Sequence, residues 1–174
     1  QRDLIKRCLL AHFPDSTIYA YAEDHVQKQE SFDCATPPAP KPVVIHEHGV
    51  QFHAAPGSKH KTGFFADQRD NRQWLSQQVE GRRVLDLCCN TGGFAVYAAV
   101  RGASEVVGID IDDAVLEIAR GNAKLNSVRP RFVQADIFPW LRDASNAGEQ
   151  YDVVILDPAK MTRDRDQVIP ALKK

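Results

Sequence analysis

Long apolar runs, an excess of one charge and paired-cysteine motifs are all missing from this sequence of 174 residues. No hydrophobic segment reaches the roughly 18 residues of a membrane-spanning helix, and no signal-peptide pattern opens the chain. The net charge of −1 provides no overall basic field for nucleic acid, although a local basic face stays open. We therefore expect a cytoplasmic protein without membrane association.

Disulfide spacing is absent as well. The four cysteines are residues 8, 34, 88 and 89, without a C-x-x-C pair, and this pattern favours reduced thiols in the cytoplasm. Cys88 and Cys89 directly follow an apolar run, so they are either small buried side chains or a nucleophile. Packing is the favoured interpretation, because a free cysteine behaves as a small hydrophobe.

Residues 1–55 are typical of a small α+β module. Apolar residues at helical spacing predict a helix over residues 3–12, and alternation predicts a strand over residues 17–22. Four prolines within residues 36–42 predict a stiff extended linker, because proline neither continues a helix nor donates to a sheet. The remaining residues, 56–174, are predicted to form a second domain.

A β-hairpin is predicted where residues 43–47 and 50–54 flank a His-Gly pair. Strand geometry would place His46 and His48 on one face, as in a metal pair. No third ligand lies nearby in the sequence, so an exposed hairpin is favoured and no metal is expected.

From residue 82 onward, short apolar runs alternate with helical patterns. The four β-branched, apolar runs are residues 82–88, 105–110, 131–136 and 151–157. The helices predicted between them are residues 93–101, 113–125 and 138–145. Strands alternating with helices indicate an α/β fold, a parallel sheet covered by helices on both faces.

Each of the four runs has an acid at or near its carboxyl end. These acids are Asp86, Asp110, Asp136 and Asp157. A single acid at this place is as often a helix cap as a ligand contact. Four in succession favour a binding site, because ligands bind at this edge of an open parallel sheet.

The first run leads into a glycine-rich turn, Asn90-Thr91-Gly92-Gly93-Phe94, where a ligand can approach the backbone closely. Neither the P-loop pattern nor G-x-G-x-x-G is present, so a nucleoside without a pyrophosphate is indicated.

The spacing of the acids suggests which parts of a nucleoside they bind. Asp110 follows Asp86 by 24 residues, close to the spacing of a ribose-binding acid in related folds. Asp136 could accept from a purine amine, with Ile111 and Ile137 as apolar plates on the ring faces. A cationic ligand suits so many carboxylates, and the sulfonium nucleoside S-adenosylmethionine meets these demands.

The motifs VLDLCCNTGGFAVYAA, VVGIDID and DVVILDPAK resemble the successive motifs of class I methyltransferases, whose fold is Rossmann-like. HKTGFFADQRDNR, residues 60–72, resembles a signature of one branch, the PUA-domain-bearing 23S ribosomal RNA cytosine-5 methyltransferases. The resemblance begins near Ile18 and includes the hairpin, which is similar to a small central domain of that family.

This resemblance implies a role for each site residue. The residues bordering S-adenosylmethionine would be Lys61, Thr62, Phe64, Asp67, Gln68 and Arg69. Asp86 and Gly92 would meet its amino-acid end, and Asn90, Thr91 and Gly93 of the same turn would also bind the cofactor. Asp110 would bind the ribose and Asp136 the adenine. Asp157 and Pro158 would lie between the methyl group and the target base as the catalytic pair, with Asp157 also reaching the cofactor.

Two departures from the family pattern are present. Ala159 replaces the second proline of the usual D-P-P-K. The chain also starts at Gln1 and stops at Lys174. By this resemblance, the family's remaining strands and its catalytic cysteine would follow Lys174, and its PUA domain would precede Gln1. We expect a cofactor-binding half, truncated after the fourth strand and inactive alone.

The expected function is methylation of large-subunit ribosomal RNA at cytosine carbon 5. Guanine-7 methylation and a catalytically silent nucleoside- or RNA-binding module are the alternatives. RNA is the expected partner, and a homodimer stays open. Arg69 and Arg72, a helical turn apart, are candidates for a shared phosphate-facing side. The basic residues Arg163, Arg165, Lys173 and Lys174 either solvate a helix or contact RNA.

Overall fold

The computed structural model describes residues 2–18, 22, 24–33, 41–55 and 63–158. Several predictions fall outside these residues. They are those for Lys61, Thr62 and Ala159, for most of the proline-rich linker, and for the basic residues 163, 165, 173 and 174.

The N-terminal part contains helices α1 (Arg2–His12) and α2 (Asp24–Gln29). Helix α1 is as predicted, whereas the polar sequence of α2 gave no sign of a helix. Of the predicted strand over residues 17–22, Thr17, Ile18 and Ala22 are described and lie in no strand.

The predicted hairpin is confirmed as antiparallel strands β1 (Val43–Glu47) and β2 (Val50–Ala54). Its turn residues His48 and Gly49 have φ angles of 47° and 87°, typical of a tight two-residue hairpin turn. His48 therefore lies in the turn and not on a strand face beside His46. Strand geometry alone was the wrong basis for pairing the two rings.

After the hairpin come a 3-10 turn, Ala66–Gln68, and helix α3, Arg69–Ser76. The main sheet consists of β3 (Arg83–Leu87), β4 (Glu105–Asp110), β5 (Arg131–Gln134) and β6 (Val153–Leu156). The helices between them are α4 (Gly93–Val100), α5 (Asp113–Leu125) and α6 (Ile137–Asn146). These bounds agree with the predicted ones within two residues.

All neighbouring strands of the main sheet run parallel, in the order β5-β4-β3-β6. The chain moves outward from β3 through β4 to β5 and then returns to the other side of β3. The order therefore reverses beside β3, which is where ligands bind in open α/β sheets. The predicted Rossmann-like parallel sheet with flanking helices is confirmed.

Residues on alternate sides of β3 and β4 pack against different helices. Val84 and Val106 pack in one cluster with Ala95 and Ala98 of α4. On the other face, the cluster of Leu85, Leu87, Val107 and Ile109 packs against residues of α6. Burial on both faces explains why these strands are apolar throughout.

Strand β6 is less buried than its sequence indicates. Ile155 is buried, but Val154 and Leu156 are 56% and 60% exposed. Among the described residues, nothing covers that side of the strand.

The hairpin shares a core with the helices of the main sheet. Val50 and Phe52 of β2 are fully buried in one cluster with Phe64, Tyr97 and Ala123. The division into residues 1–55 and 56–174 stays a prediction, but the hairpin packs with the second segment.

Candidate functional site

The carboxyl edge of the sheet brings the four predicted acids near one loop, residues 88–93. Burial is the main reason that the pKa of the Cys88 thiol is raised, and Asp86, Asp110, Asp136 and Asp157 all raise it further. Four carboxylates therefore act electrostatically on a single point at the start of this loop.

The backbone of this loop has an unusual conformation. Cys88, Asn90 and Gly92 have φ angles of 59°, 49° and 75°, so every second residue is left-handed. This conformation is costly for residues other than glycine, and it persists only where the surroundings hold it. Strain of this kind is frequent at ligand sites.

Several hydrogen bonds hold the loop in place. The N–H of Cys89 donates to the carbonyl of Ile109 at 2.9 Å, and the N–H of Gly92 donates to the carbonyl of Cys89 at 2.8 Å. The N–H of Asn90 donates to Oδ2 of Asp110 at 2.8 Å. Strand β4 and its terminal acid therefore fix the first half of the loop.

Gly92 is required both for its backbone angle and for space. A Cβ atom there would lie 3.0 Å from Cβ of Ala119 and 3.0 Å from the Phe132 ring. Gly93 begins α4, and a Cβ atom there would lie 3.2 Å from Cδ of Arg72. Side chains of other elements therefore pack closely against the two glycines. The turn leads into the N-terminus of α4, whose positive end favours a negatively charged group.

Asp86 is the most deeply buried of the four acids, with 2% of its surface exposed. Its Oδ2 accepts from the N–H of Ala95 at 3.0 Å. Burial raises the pKa of this carboxyl to about 7, Asp157 and Asp110 add to the rise, and the Ala95 hydrogen bond opposes it. No cation pairs with Asp86 among the described residues.

Asp110 and Asp136 also hold the backbone. Oδ1 of Asp110 accepts from the N–H of Asp112 at 3.1 Å. Asp136 caps α6, because its Oδ1 accepts from the N–H of Phe138 at 2.9 Å. The cap interpretation is therefore correct for Asp136, and it involves one of the two carboxylate oxygens. Asp157 follows β6 and is exposed, with Pro158 beside it.

Ile111 and Ile137, the two residues predicted to contact the faces of a purine ring, differ from each other in exposure. Ile111 follows Asp110 and is 68% exposed at this edge. Ile137 is partly buried and packs against the cluster beneath α6.

Residues 64–69, which lead into α3 and include residues predicted to border the cofactor, are only partly at the surface. Asp67 and Arg69 are exposed, and Gln68 accepts a hydrogen bond from Asn71 at 2.8 Å. Phe64 is buried instead, with its ring 5.2 Å from that of Phe52.

Arg72 does not share a phosphate-facing side with Arg69, so that prediction was wrong. Its side chain is buried and binds the buried Glu47, with Nη2 2.8 Å from Oε1 and Nε 3.1 Å from Oε2. The Tyr97 hydroxyl donates to the Glu47 carbonyl at 2.9 Å, and the guanidinium lies 4.8 Å from the centre of the Phe64 ring. Helical spacing gave no sign of this partner on the hairpin.

Two asparagines, Asn122 in α5 and Asn126 at its C-cap, were also missed. Asn122 is fully buried; its Oδ1 accepts from the N–H of His53 at 2.8 Å, and its Nδ2 donates to the carbonyl of Thr91 at 2.9 Å. Asn126, one turn later, accepts from the N–H of Gln51 at 2.9 Å and donates to its carbonyl at 2.7 Å. A polar residue on the apolar stripe of α5 was the available signal.

The predicted packing role of the two adjacent cysteines is confirmed for Cys89, which is 6% exposed. Cys88 is only partly buried. Burial raises the pKa of both thiols, so they are held as thiols and not as thiolates. Within the described residues, no cluster of three potential metal ligands is found, and no helix is long and apolar enough to cross a membrane.

This geometry agrees with a comparison against known families. The family model described as S-adenosylmethionine-dependent methyltransferase matches residues 34–169. The chain belongs to this family. The predicted cofactor, S-adenosylmethionine, is thereby confirmed as that of the family, and the described residues fit it through a buried acid, a glycine turn and an exposed apolar side chain at one edge.

Individual proteins are similar as well. The chain is 41% identical to the ribosomal RNA large subunit methyltransferase I of Aeromonas hydrophila, over 99% of this chain and 46% of that protein. A methyltransferase structure complexed with S-adenosylhomocysteine matches with a TM-score of 0.67 and 26% identity, covering 76% of this chain and 36% of that one. The tRNA (uracil-54, C5)-methyltransferase of Pyrococcus abyssi, also with S-adenosylhomocysteine, matches with a TM-score of 0.54 and 27% identity, covering 69% and 29%.

The chain therefore spans about half the length of the curated relatives it matches.

Proposed function

We propose that this chain is the cofactor-binding part of an enzyme that methylates large-subunit ribosomal RNA at cytosine carbon 5. The observation that carries the cofactor assignment is Asp86, a buried carboxylate without a cation among the described residues, at the edge where the strand order reverses. The names of the relatives support ribosomal RNA as the substrate. The similarity to a carbon-5 methyltransferase supports the position.

The residues would bind the cofactor from three sides. Asp86 and the turn of residues 90–93 would hold the amino-acid end, because a buried carboxylate favours an ammonium group. Asp110 would accept from the ribose hydroxyls in addition to the N–H groups it already binds. Asp136 would accept from the adenine amine with its second oxygen, while Ile111 and Ile137 would contact the ring.

Residues 61–69 would border the same ligand from the other side. The members of this set are Lys61, Thr62, Phe64, Asp67, Gln68 and Arg69. Because Phe64 is buried under Arg72, its contribution would be to support the neighbouring residues and not to contact the ligand with its ring face.

Bound S-adenosylmethionine would supply an electrophilic methyl group beside Asp157 and Pro158. Carbon 5 of cytosine is a poor nucleophile, so this chemistry needs a thiolate that adds to carbon 6 and makes carbon 5 enamine-like. After methylation, a base removes the proton on carbon 5 and the thiolate leaves. The raised pKa of the Cys88 and Cys89 thiols makes both unsuited to the role of the attacking thiolate. Asp157 would position the target cytosine.

Methyl transfer from tritiated S-adenosylmethionine to large-subunit ribosomal RNA, followed by nucleoside analysis, tests the proposal. We expect 5-methylcytidine from the complete protein and a large loss of transfer in Asp157→Ala. 7-Methylguanosine would support the guanine-7 alternative instead. Cofactor binding without any transfer would support a silent nucleoside-binding module.

A further inference from the structure

We propose that Asn122 is a positioning residue for the turn of residues 90–93, called the cofactor turn below, and couples it to the β1–β2 hairpin. This inference rests on the proposed cofactor site. Asn122 lies on α5, neither on the sheet edge nor in any of the motifs that indicated the family. Its buried amide bridges two backbone groups from different parts of the chain, the carbonyl of Thr91 and the N–H of His53.

The bond to Thr91 acts at the most strained part of the turn. Thr91 lies between Asn90 and Gly92, both of which have left-handed backbone angles. Asp110 holds the N–H of Asn90 on one side, and Asn122 holds the carbonyl of Thr91 on the other. A strained turn keeps its shape only while such contacts hold it, so loss of the Asn122 bond would let the turn relax.

The bond to His53 fixes Asn122 itself. Asn122 is fully buried, and its side-chain oxygen is held by strand β2, whose residues Val50 and Phe52 are also fully buried. The nitrogen is therefore presented to Thr91 in one orientation. An amide that is oriented before the ligand arrives lowers the cost of ordering the turn on binding.

Asn126, the C-cap residue directly after α5, provides a matched comparison. It lies one turn after Asn122 and also binds the backbone of β2, through both the N–H and the carbonyl of Gln51. Within the described part of the chain, its side chain bonds to Gln51 and Asn122 but not to the cofactor turn. A residue that only anchors the hairpin should behave like Asn126, whereas a residue that positions the turn should not.

Binding of S-adenosylhomocysteine to Asn122→Ala and Asn126→Ala, measured by calorimetry in the complete protein, separates these roles. We expect roughly tenfold weaker binding in Asn122→Ala and little change in Asn126→Ala, even if both unfold at a lower temperature. Adenosine lacks the amino-acid end that the turn would hold, so its affinity should fall less than that of S-adenosylhomocysteine.

A second measurement needs no substitution and so does not depend on a variant that folds. Coupling is reciprocal, so a ligand that steadies the turn must also steady the hairpin through Asn122. Amide hydrogen exchange followed by NMR should show that S-adenosylhomocysteine slows exchange at His53 more than at Gln51.

The outcomes distinguish this inference from the proposed function. If the wild-type protein binds no S-adenosylhomocysteine, the proposed cofactor site fails and the inference fails with it. If the wild type binds but the two variants lose affinity equally, or His53 and Gln51 gain equal protection, Asn122 only anchors the hairpin and the inference alone is wrong.

Discussion

Two buried acids in this protein have opposite surroundings. Glu47 on the hairpin is bound by both nitrogens of one edge of the Arg72 guanidinium, and Tyr97 binds its backbone carbonyl. Asp86 on the main sheet has the N–H of Ala95, while two other carboxylates act on it electrostatically. The first acid is fully paired within the fold, and the second is not.

The difference separates a structural acid from a binding acid. A buried charge is tolerated when a partner and hydrogen bonds replace the water it has lost. Glu47 meets this condition through Arg72. Asp86 meets it only in part, and the fold accommodates it by a raised pKa, so a cationic ligand would complete its surroundings.

The largest effect is expected from Arg72→Met, which removes the buried ion pair between Arg72 and Glu47. It leaves the Glu47 carboxylate buried without its cation, and we expect a loss of about 3 to 5 kcal/mol in the free energy of unfolding. Urea-induced unfolding measures this loss.

Arg120→Ala is the matched control, since Arg120 pairs with Asp113 and Glu117 at the exposed surface. It should cost at most about 1 kcal/mol. The double variant Glu47→Gln with Arg72→Met should recover part of the loss. Equal losses for the buried and the exposed arginine would contradict the role given to the Glu47–Arg72 pair.

The next largest effect on stability is expected from Asp86→Asn, which removes the acid that has no cation partner among the described residues. Because the pKa of Asp86 is near 7 in the folded protein and near 3.8 when unfolded, the folded state binds more protons between these values. The contribution of Asp86 to stability is thus fully present below about pH 4 and is lost as the pH rises to about 7.

At pH 8, Asp86→Asn should therefore raise the free energy of unfolding of the ligand-free protein, by about 2 to 4 kcal/mol. It should also weaken binding of S-adenosylhomocysteine. Thermal unfolding between pH 4 and pH 8 tests the first statement, and calorimetry tests the second. A variant that is no more stable than wild type at pH 8 would show that Asp86 has a partner in the folded protein.

Binding should shift the proton balance of Asp86. A neighbouring ammonium group lowers the pKa of an acid, so S-adenosylhomocysteine, with its ammonium group beside Asp86, should cause proton release on binding near pH 7. Calorimetry in two buffers of different ionisation enthalpy measures the release. Asp86→Asn should abolish it, and release that persists in this variant would place the titrating group elsewhere.

A somewhat smaller effect is expected from Asp110→Ala. The ribose hydroxyls would form charge-assisted bonds with this carboxylate, and their loss should weaken S-adenosylhomocysteine binding by about 1.5 to 3 kcal/mol. The variant also loses the bonds to Asn90 and Asp112, so its folding is checked by thermal unfolding. Unchanged affinity in a folded variant would remove Asp110 from the site.

The smallest effect is expected from Cys88→Ser and Cys89→Ser. Burial raises the pKa of both thiols, so neither is suited to attack the base. Each variant of the complete protein should still methylate RNA and still form a covalent adduct with RNA containing 5-fluorocytosine. Loss of that adduct, with cofactor binding intact, would place the nucleophile in the glycine turn after all.

The sequence predicted well what depends on local pattern. Alternation of apolar runs and helical periodicity gave the order of strands and helices, since strands buried on both faces are apolar throughout. The hairpin followed from its His-Gly turn. The polar helix α2 was missed because it has no apolar stripe, and β6 was taken as buried because its exposed residues are apolar.

The sequence by itself also determined that four acids and a glycine turn lie at one edge, because carboxyl ends of parallel strands meet there. Only the tertiary structure decided which partners these groups have. It paired Arg72 with Glu47, which is 25 residues away, and placed Asn122 between Thr91 and His53. Such contacts depend on how the hairpin packs on α4 and α5. Periodicity shows which face of an element is buried but not which distant side chain it meets there.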